Sequence, residues 1–177
     1  MFNNAHHALR WAYTTINRPI VKMSAINHMR QGSHGAQNML LYDLNAQDRH
    51  GQAALIIGMV ARLPDLAERE YIEAEFGRRV MRDDVRELVY QGSEALLLGF
   101  GLGGENAGEF VYRIVYGYFS GVDMSHKAIR RILSCQHGYA FMVRNCLYDI
   151  LDVIHGRAMA DMTEAFERQG LIEREYA

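Results

Sequence analysis

The sequence predicts an all-α protein. Only three of the 177 residues are Thr, and no stretch alternates apolar and polar residues between hairpin turns, as a half-buried strand would. Apolar residues instead recur every three or four positions along most of the chain, and capping residues, Gly or Pro flank these stretches. With 49% hydrophobic and 23% charged residues, the composition is typical of a folded globular protein.

Residues 1–98 are predicted to form a helical N-terminal part. Each predicted helix has a residue suited to begin it or a residue that ends it: Ser24, Asn45 and Asp65 are good N-caps, and Pro64 and Gly77 are stops. Glu68 follows Asp65 by three residues, as in a capping box. The predicted helices are 5–16, ended by Pro19, then 24–29, 46–63, 65–76, and one opened by Asp83 or Asp84 that runs through 95–98.

A glycine-rich segment follows and predicts a hinge over residues 99–108, which contain five Gly. Residues 99–104 match the pattern G-x-G-x-x-G of dinucleotide-binding loops. That fingerprint requires a preceding strand and an acidic residue about 20 positions later, and here a helix precedes it. The segment is therefore expected to separate the N-terminal part from a C-terminal part over residues 109–177.

The C-terminal part has the spacing of a tri-helical helix-turn-helix. Its predicted elements are a helix 110–119 stopped by Gly121, a helix 125–133 capped by Ser125, a turn 134–138, and a long helix 139–168 stopped by Gly170 with Gly156 as its weak point. Ile129, Leu133, Ala140 and Val143 are spaced to share one small core between two short crossing helices. In such a motif the last helix lies in the DNA major groove.

The distribution of charge favours DNA as the ligand of this motif. The chain carries a net charge of −2, but residues 110–148 carry +4, and no acidic residue lies between Asp123 and Asp149. Seventeen of the 19 basic residues are Arg, whose planar fork suits phosphate and guanine. Lys127, Arg130 and Arg131 are placed for phosphates, Gln136 could bind adenine and Arg144 guanine. The predicted DNA-binding residues are Ser125, Lys127, Arg130, Arg131, Gln136, His137, Tyr139 and Arg144.

Several stretches resemble known transcription factors. Residues 121–125, followed by Ile129, Leu133, Ser134-Cys135 and Val143, are similar to the helix-turn-helix of sigma-factor region 4. Over nearly its full length the chain resembles the Q-class late-gene antitermination proteins of bacteriophages and prophages, including the AlpA-type regulator of pseudomonads. The stretches that carry this resemblance, besides the helix-turn-helix, are 8–13, 19–26, 48–54 and 157–159.

This resemblance implies a mechanism of transcription regulation. Such proteins bind double-stranded DNA beside a promoter, engage a paused, sigma-containing RNA polymerase holoenzyme, and travel with it near the RNA exit channel, so that terminator hairpins do not form. Nascent RNA is a further partner that this mechanism would allow. The first basic block and the single Trp are the basis for a hypothetical polymerase or RNA contact at Arg10, Trp11, Arg18 and Lys22.

The sequence predicts neither catalysis nor a cofactor. No nucleophile, base and acid stand in a known catalytic arrangement. Cys135, His137 and Cys146, with His126 or His155, invite a zinc site, but the second Cys pair of a typical structural site is missing, so no metal site is predicted. Two alternatives remain open: a conventional activator or repressor of initiation, and a helical protein-binding adaptor, zinc-stabilised or not.

The sequence also bears on the cellular location and the oligomeric state of the protein. The chain has only two Cys, no secretory signal pattern and no apolar run longer than residues 53–61. These features predict a cytoplasmic protein without a membrane span. The apolar stripe of the last helix would fit either the protein's own core or a homodimer seam, so a homo-oligomer is left open. Its members are Val143, Leu147, Ile150, Leu151, Ile154, Ala158, Met162, Ala165 and Phe166.

Overall fold

The prediction of an all-α fold is confirmed. The computed structural model describes residues 1–17, 46–77, 82–99, 105–122, 124–133 and 137–173. Within these ranges the only β-type pairing is an isolated bridge between Phe2 and Ile172. The helices are α1 (Ala5–Ile16), α2 (Ala46–Val60), α3 (Leu66–Phe76), α4 (Arg82–Gly99), α5 (Glu105–Ser120), α6 (His126–Leu133) and α7 (His137–Arg168).

Most helix bounds agree with the sequence to within a few residues. The range of α1 is the predicted one, whereas α2 ends three residues early because Arg62 N–H turns back to the Met59 carbonyl in a tighter turn (3.1 Å). Helix α5 begins five residues before its predicted start, and α7 begins at His137, inside the predicted turn. The predicted helix 24–29, the cap at Asn45 and the stop at Pro19 lie outside the described residues.

Side-chain caps fix the starts of three helices. Asn4 Oδ1 accepts from His7 N–H at the start of α1 (2.8 Å), a cap that the sequence prediction did not name. Asp65 Oδ1 accepts from Ala67 N–H (2.8 Å), as predicted for α3. Ser125 Oγ accepts from Ala128 N–H (3.3 Å), which confirms Ser125 as the cap of α6.

Glycines end two helices through left-handed backbone. Gly121 has φ +67°, and Val122 N–H reaches back to the Gly117 carbonyl (3.2 Å). Gly170 has φ +66°, and Leu171 N–H reaches the Phe166 carbonyl (2.9 Å). Both arrangements are the Schellman closure of a helix end. Gly77 also ends its helix, but with extended backbone at φ −70°.

The contacts of the chain divide it into two compact units. The first consists of Met1–Arg62 and Met159–Ala177, so α1, α2 and the last turns of α7 belong to it. Its buried residues include Phe2, Ala5, Ala8, Leu9, Ala12, Tyr13, Ala53, Ile56, Val60, Met162, Phe166 and Ile172. A hydrogen bond from Phe2 N–H to the Leu171 carbonyl (2.8 Å) ties the N-terminus to the chain that follows α7.

The second unit is Leu63–Ala158; of the predicted hinge 99–108, which falls within this range, residues 100–104 lie outside the described residues. Gly99 is the last residue of α4 and Gly108 lies inside α5, so these glycines do not interrupt the helices. The cost of a helical glycine, about 1 kcal/mol, is small beside the packing of α4 against α5. The core of this unit draws on α3 to α7 and includes Tyr71, Val85, Val89, Leu97, Phe110, Val111, Ile114, Val115, Ile129, Val143, Leu147, Leu151 and Ile154.

The apolar stripe of α7 is largely buried within a single chain. Its fully or nearly fully buried members are Val143, Leu147, Leu151, Ile154, Ala158, Met162 and Phe166. The stripe therefore belongs to the protein's own cores rather than to an exposed seam. In the part of the chain that the structure describes, no helix combines the length and the apolar character needed to cross a membrane.

Candidate nucleic-acid interface

Helix α6 has one buried side and one basic side. Ile129 is fully buried and belongs to the same core as Val143 of α7. Lys127, Arg130 and Arg131 are exposed. Because the buried Ile129 fixes the rotation of this short helix, its three cations point toward solvent together.

The first turns of α7 expose aromatic and apolar side chains. Tyr139 is 51% exposed, Phe141 42% and Met142 44%, and Gly138 before them is exposed as well. His137 begins the helix, but its side chain and the whole of Gln136 lie outside the described residues. Of the predicted DNA-binding residues, Ser125, Lys127, Arg130, Arg131, Tyr139 and Arg144 are therefore described, and all six belong to the unit Leu63–Ala158.

Arg144 differs from the cations of α6 because aromatic rings hold it. Its Cζ lies 5.0 Å from the centroid of the Phe141 ring and 5.7 Å from that of Tyr148. Its Nε and Nη2 atoms lie 3.4 and 3.3 Å from Asn145 Oδ1. Neither charge nor hydrophobic spacing predicts a role for Phe141, Tyr148 or Asn145. Their positions three before, four after and one after Arg144 on a helix are the signal that could have identified the two rings.

A polar network beside this surface joins α3, α5 and α7. The Tyr118 hydroxyl donates to Asp152 Oδ1 (2.6 Å) and accepts from the Tyr71 hydroxyl (3.2 Å). His155 Nδ1 lies 3.0 Å from Tyr71 Oη and 3.4 Å from Glu75 Oε2. Because the Tyr71 hydroxyl hydrogen is directed to Tyr118, the Tyr71 oxygen can accept a hydrogen bond from His155 Nδ1.

Burial changes the acidity of both tyrosines in this network. Burial, followed by the hydrogen bond to Asp152, raises the pKa of Tyr118 to about 12. Burial, followed by the hydrogen bond to Tyr118, raises the pKa of Tyr71 further. Both hydroxyls stay protonated at neutral pH, so both keep their donor hydrogens and the network links three helices through hydrogen bonds.

The stretch 157–159, one of those that carry the family resemblance, has a structural role here. Arg157 Nη1 lies 3.8 Å from Asp65 Oδ2, and Arg157 Nε lies 4.0 Å from Glu68 Oε1. Both acids stand at the N-terminal end of α3, and Glu68 is buried. Arg157 thus contributes to compensating the charge of the buried Glu68 carboxylate.

The hypothetical polymerase or RNA contact lies in the other unit. Arg10 is exposed on α1, and Trp11 is half-buried with its ring 5.2 Å from that of Phe2. Part of the Trp11 surface therefore serves to pack the N-terminus. Arg18 and Lys22 lie outside the described residues.

Of the residues considered for a zinc site, Cys146 and His155 have described side chains. Among the described residues no three His, Cys, Asp or Glu side chains come together as a metal site. Cys146 is a half-buried thiol, and His155 is engaged with Tyr71. Cys135 and the side chains of His126 and His137 lie outside the described residues.

Comparisons with known proteins add no relative. No protein-family model matches the chain, and neither a curated protein nor a solved structure matches it.

Proposed function

We propose that this protein is a DNA-binding transcription regulator that binds duplex DNA with α6 and the first turns of α7. The observation that carries the proposal is the orientation of α6. Ile129 is buried in the core, and Lys127, Arg130 and Arg131 share the exposed side. A helix with this pattern, followed directly by a helix with an exposed start, has the parts that a helix-turn-helix needs to approach phosphates and base edges.

Local electrostatics support the same proposal. The segment 124–148 holds four Lys and Arg residues and no Asp or Glu, although the chain as a whole is acidic. Arg113, the nearest preceding cation, is already paired with Glu109 on α5. The positive charge is therefore concentrated on the two helices that would meet DNA, where it would raise both affinity and association rate.

We propose further that the regulator is a Q-class antitermination factor. This step rests on the resemblance of stretches 8–13, 19–26, 48–54 and the helix-turn-helix region to that class. Its partners would be a promoter-proximal DNA element and a paused RNA polymerase holoenzyme, and its effect would be readthrough of terminators. It would need no cofactor and would catalyse no reaction itself.

The test is in vitro transcription with the cognate holoenzyme. The template carries the promoter next to this gene fused to an intrinsic terminator, and a second template carries an unrelated promoter with the same terminator. The proposal predicts more full-length transcript on the first template only, with total initiation unchanged. A change in initiation without readthrough would indicate a conventional activator or repressor. No effect on either, together with no affinity for duplex DNA, would indicate a protein-binding adaptor.

A further inference from the structure

The basic side chains of the candidate interface are of two kinds. Lys127, Arg130 and Arg131 are exposed, and in the described part of the chain neither a ring nor a carboxylate lies against them. Arg144 is half-buried, its guanidinium lies over two aromatic rings, and two of its nitrogens face one amide oxygen. This difference suggests two different tasks within one interface.

The setting of Arg144 restricts its side chain before any ligand arrives. Phe141 and Tyr148 come from the turns before and after Arg144 and contact the guanidinium from the same helix. Asn145 Oδ1 then sets the rotation of the guanidinium plane. Tyr148 is itself held, with its ring 5.4 Å from that of Tyr118. An arginine restrained in this way loses less rotamer freedom on binding, so more of its interaction energy is retained.

We propose that Arg144 is a specificity-determining residue that recognises a guanine, and that Phe141, Tyr148 and Asn145 are the residues that position it. This assignment rests on the proposed DNA-binding function. A phosphate accepts a mobile cation from many directions, and that contact suits the exposed side chains of α6. The O6 and N7 atoms of guanine accept two parallel hydrogen bonds in one plane, which an oriented guanidinium supplies.

The rings also explain an otherwise unfavourable exposure. Phe141 is 42% exposed although it has no polar atom. Part of the remaining ring surface is covered by the guanidinium, which is attracted to the ring face. Replacement of this partly exposed ring is therefore expected to release the Arg144 guanidinium rather than to open the core.

The experiment uses the full-length protein and a pool of duplexes of random sequence. Selection from the pool gives the preferred sequence, and affinities are then measured with each base pair of that sequence replaced in turn. The variants are Arg144→Lys, which keeps the charge but loses the fork, and Phe141→Leu, which keeps bulk but loses the ring. Phe141→Tyr keeps an aromatic ring at this position. Val153→Ala, at an exposed position further along α7, is the matched control.

The proposal predicts one G·C pair whose replacement weakens wild-type binding roughly tenfold or more, the range of a bidentate contact. Arg144→Lys and Phe141→Leu lose the preference at that pair and keep it elsewhere, with unchanged affinity for random duplex. Phe141→Tyr and Val153→Ala match the wild type. If both loss variants keep every base preference, or weaken all sequences equally, the assignment is wrong while the DNA-binding proposal stands. If the wild type selects no sequence and binds no duplex, both are wrong.

Discussion

Replacement of Tyr118 by Phe removes one hydroxyl and leaves the ring in place. The lost group donates to Asp152 Oδ1 (2.6 Å) and accepts from Tyr71 (3.2 Å). The ring contacts with Tyr71, Phe119 and Tyr148 involve carbon atoms that phenylalanine retains. The substitution therefore isolates the hydrogen bonds of the network from its aromatic packing.

The expected loss is modest but measurable. A hydrogen bond to a charged group contributes about 1.5–3 kcal/mol, and because Asp152 is exposed, water replaces part of the lost bond. We expect a decrease of about 1–2 kcal/mol in the free energy of unfolding, which lowers the melting temperature by roughly 2–8 °C for a protein of this size. Tyr112→Phe on the same helix is the matched control, since Tyr112 is 41% exposed and its change should stay within about 0.5 kcal/mol.

The pH dependence of this difference has a definite sign. The pKa of Tyr118 is raised from about 10 to about 12 by burial and then by the hydrogen bond to Asp152, so folding favours the protonated hydroxyl. Its contribution to stability is complete below pH 10 and is lost as the pH rises from 10 to 12. Over that range the stability of the wild type should approach that of Tyr118→Phe. The raised pKa of Tyr71 lowers the stability of both proteins as the pH rises, because both retain this residue.

Urea or thermal denaturation followed by circular dichroism measures both effects. A stabilising role of the Tyr118 hydroxyl is refuted if Tyr118→Phe is as stable as the wild type at neutral pH, or if the difference in stability between the two proteins stays constant through pH 12. Either result would mean that water replaces the hydrogen bonds of the Tyr118 hydroxyl without a loss of stability.

The remaining stability predictions concern backbone and core. Gly121→Ala should destabilise by about 1–2 kcal/mol because φ is +67° there, whereas Gly92→Ala, with open space at its Cβ position inside α4, should stabilise by about 0.5–1 kcal/mol. Chemical denaturation compares the two, and equal signs would contradict the backbone argument. Phe166→Ala should cost about 3–5 kcal/mol because this ring is fully buried. Leu55→Ala at an exposed position should stay within about 0.5 kcal/mol in the same assay, and similar losses for both would contradict the assigned core.

Sequence patterns predicted the local structure better than the packing. The bounds of α1, the cap at Ser125 and the stops at Gly121 and Gly170 depend on a few neighbouring residues, so local chemistry is sufficient to predict them. The division into units depends on which helices meet in space. Glycine content between 99 and 108 reports backbone freedom and not contacts, so it carries no information on which helices share a core.

At the candidate site too, sequence patterns predicted exposed charges but not the packing of side chains. Charge and spacing singled out Lys127, Arg130 and Arg131, and the structure places all three on the exposed side of α6. The stacking of Arg144 depends on side-chain rotamers along α7, and hydrophobic periodicity contains no information about them. The hydrogen bond between Tyr71 and Tyr118 joins residues 47 positions apart, a distance that no local pattern spans.

The central claim is that α6 binds DNA phosphates, and the salt dependence of duplex binding tests it most directly. Each neutralised phosphate contributes about 0.9 to the slope of log affinity against log salt concentration, so replacement of three contacting cations should lower the slope by about 2.7. The triple variant Lys127→Ala, Arg130→Ala, Arg131→Ala is compared with Arg113→Ala, a nearby cation already paired with Glu109. The account predicts the full decrease in the triple variant and little change in Arg113→Ala. An unchanged slope in a triple variant that keeps its helical content and melting temperature would contradict it.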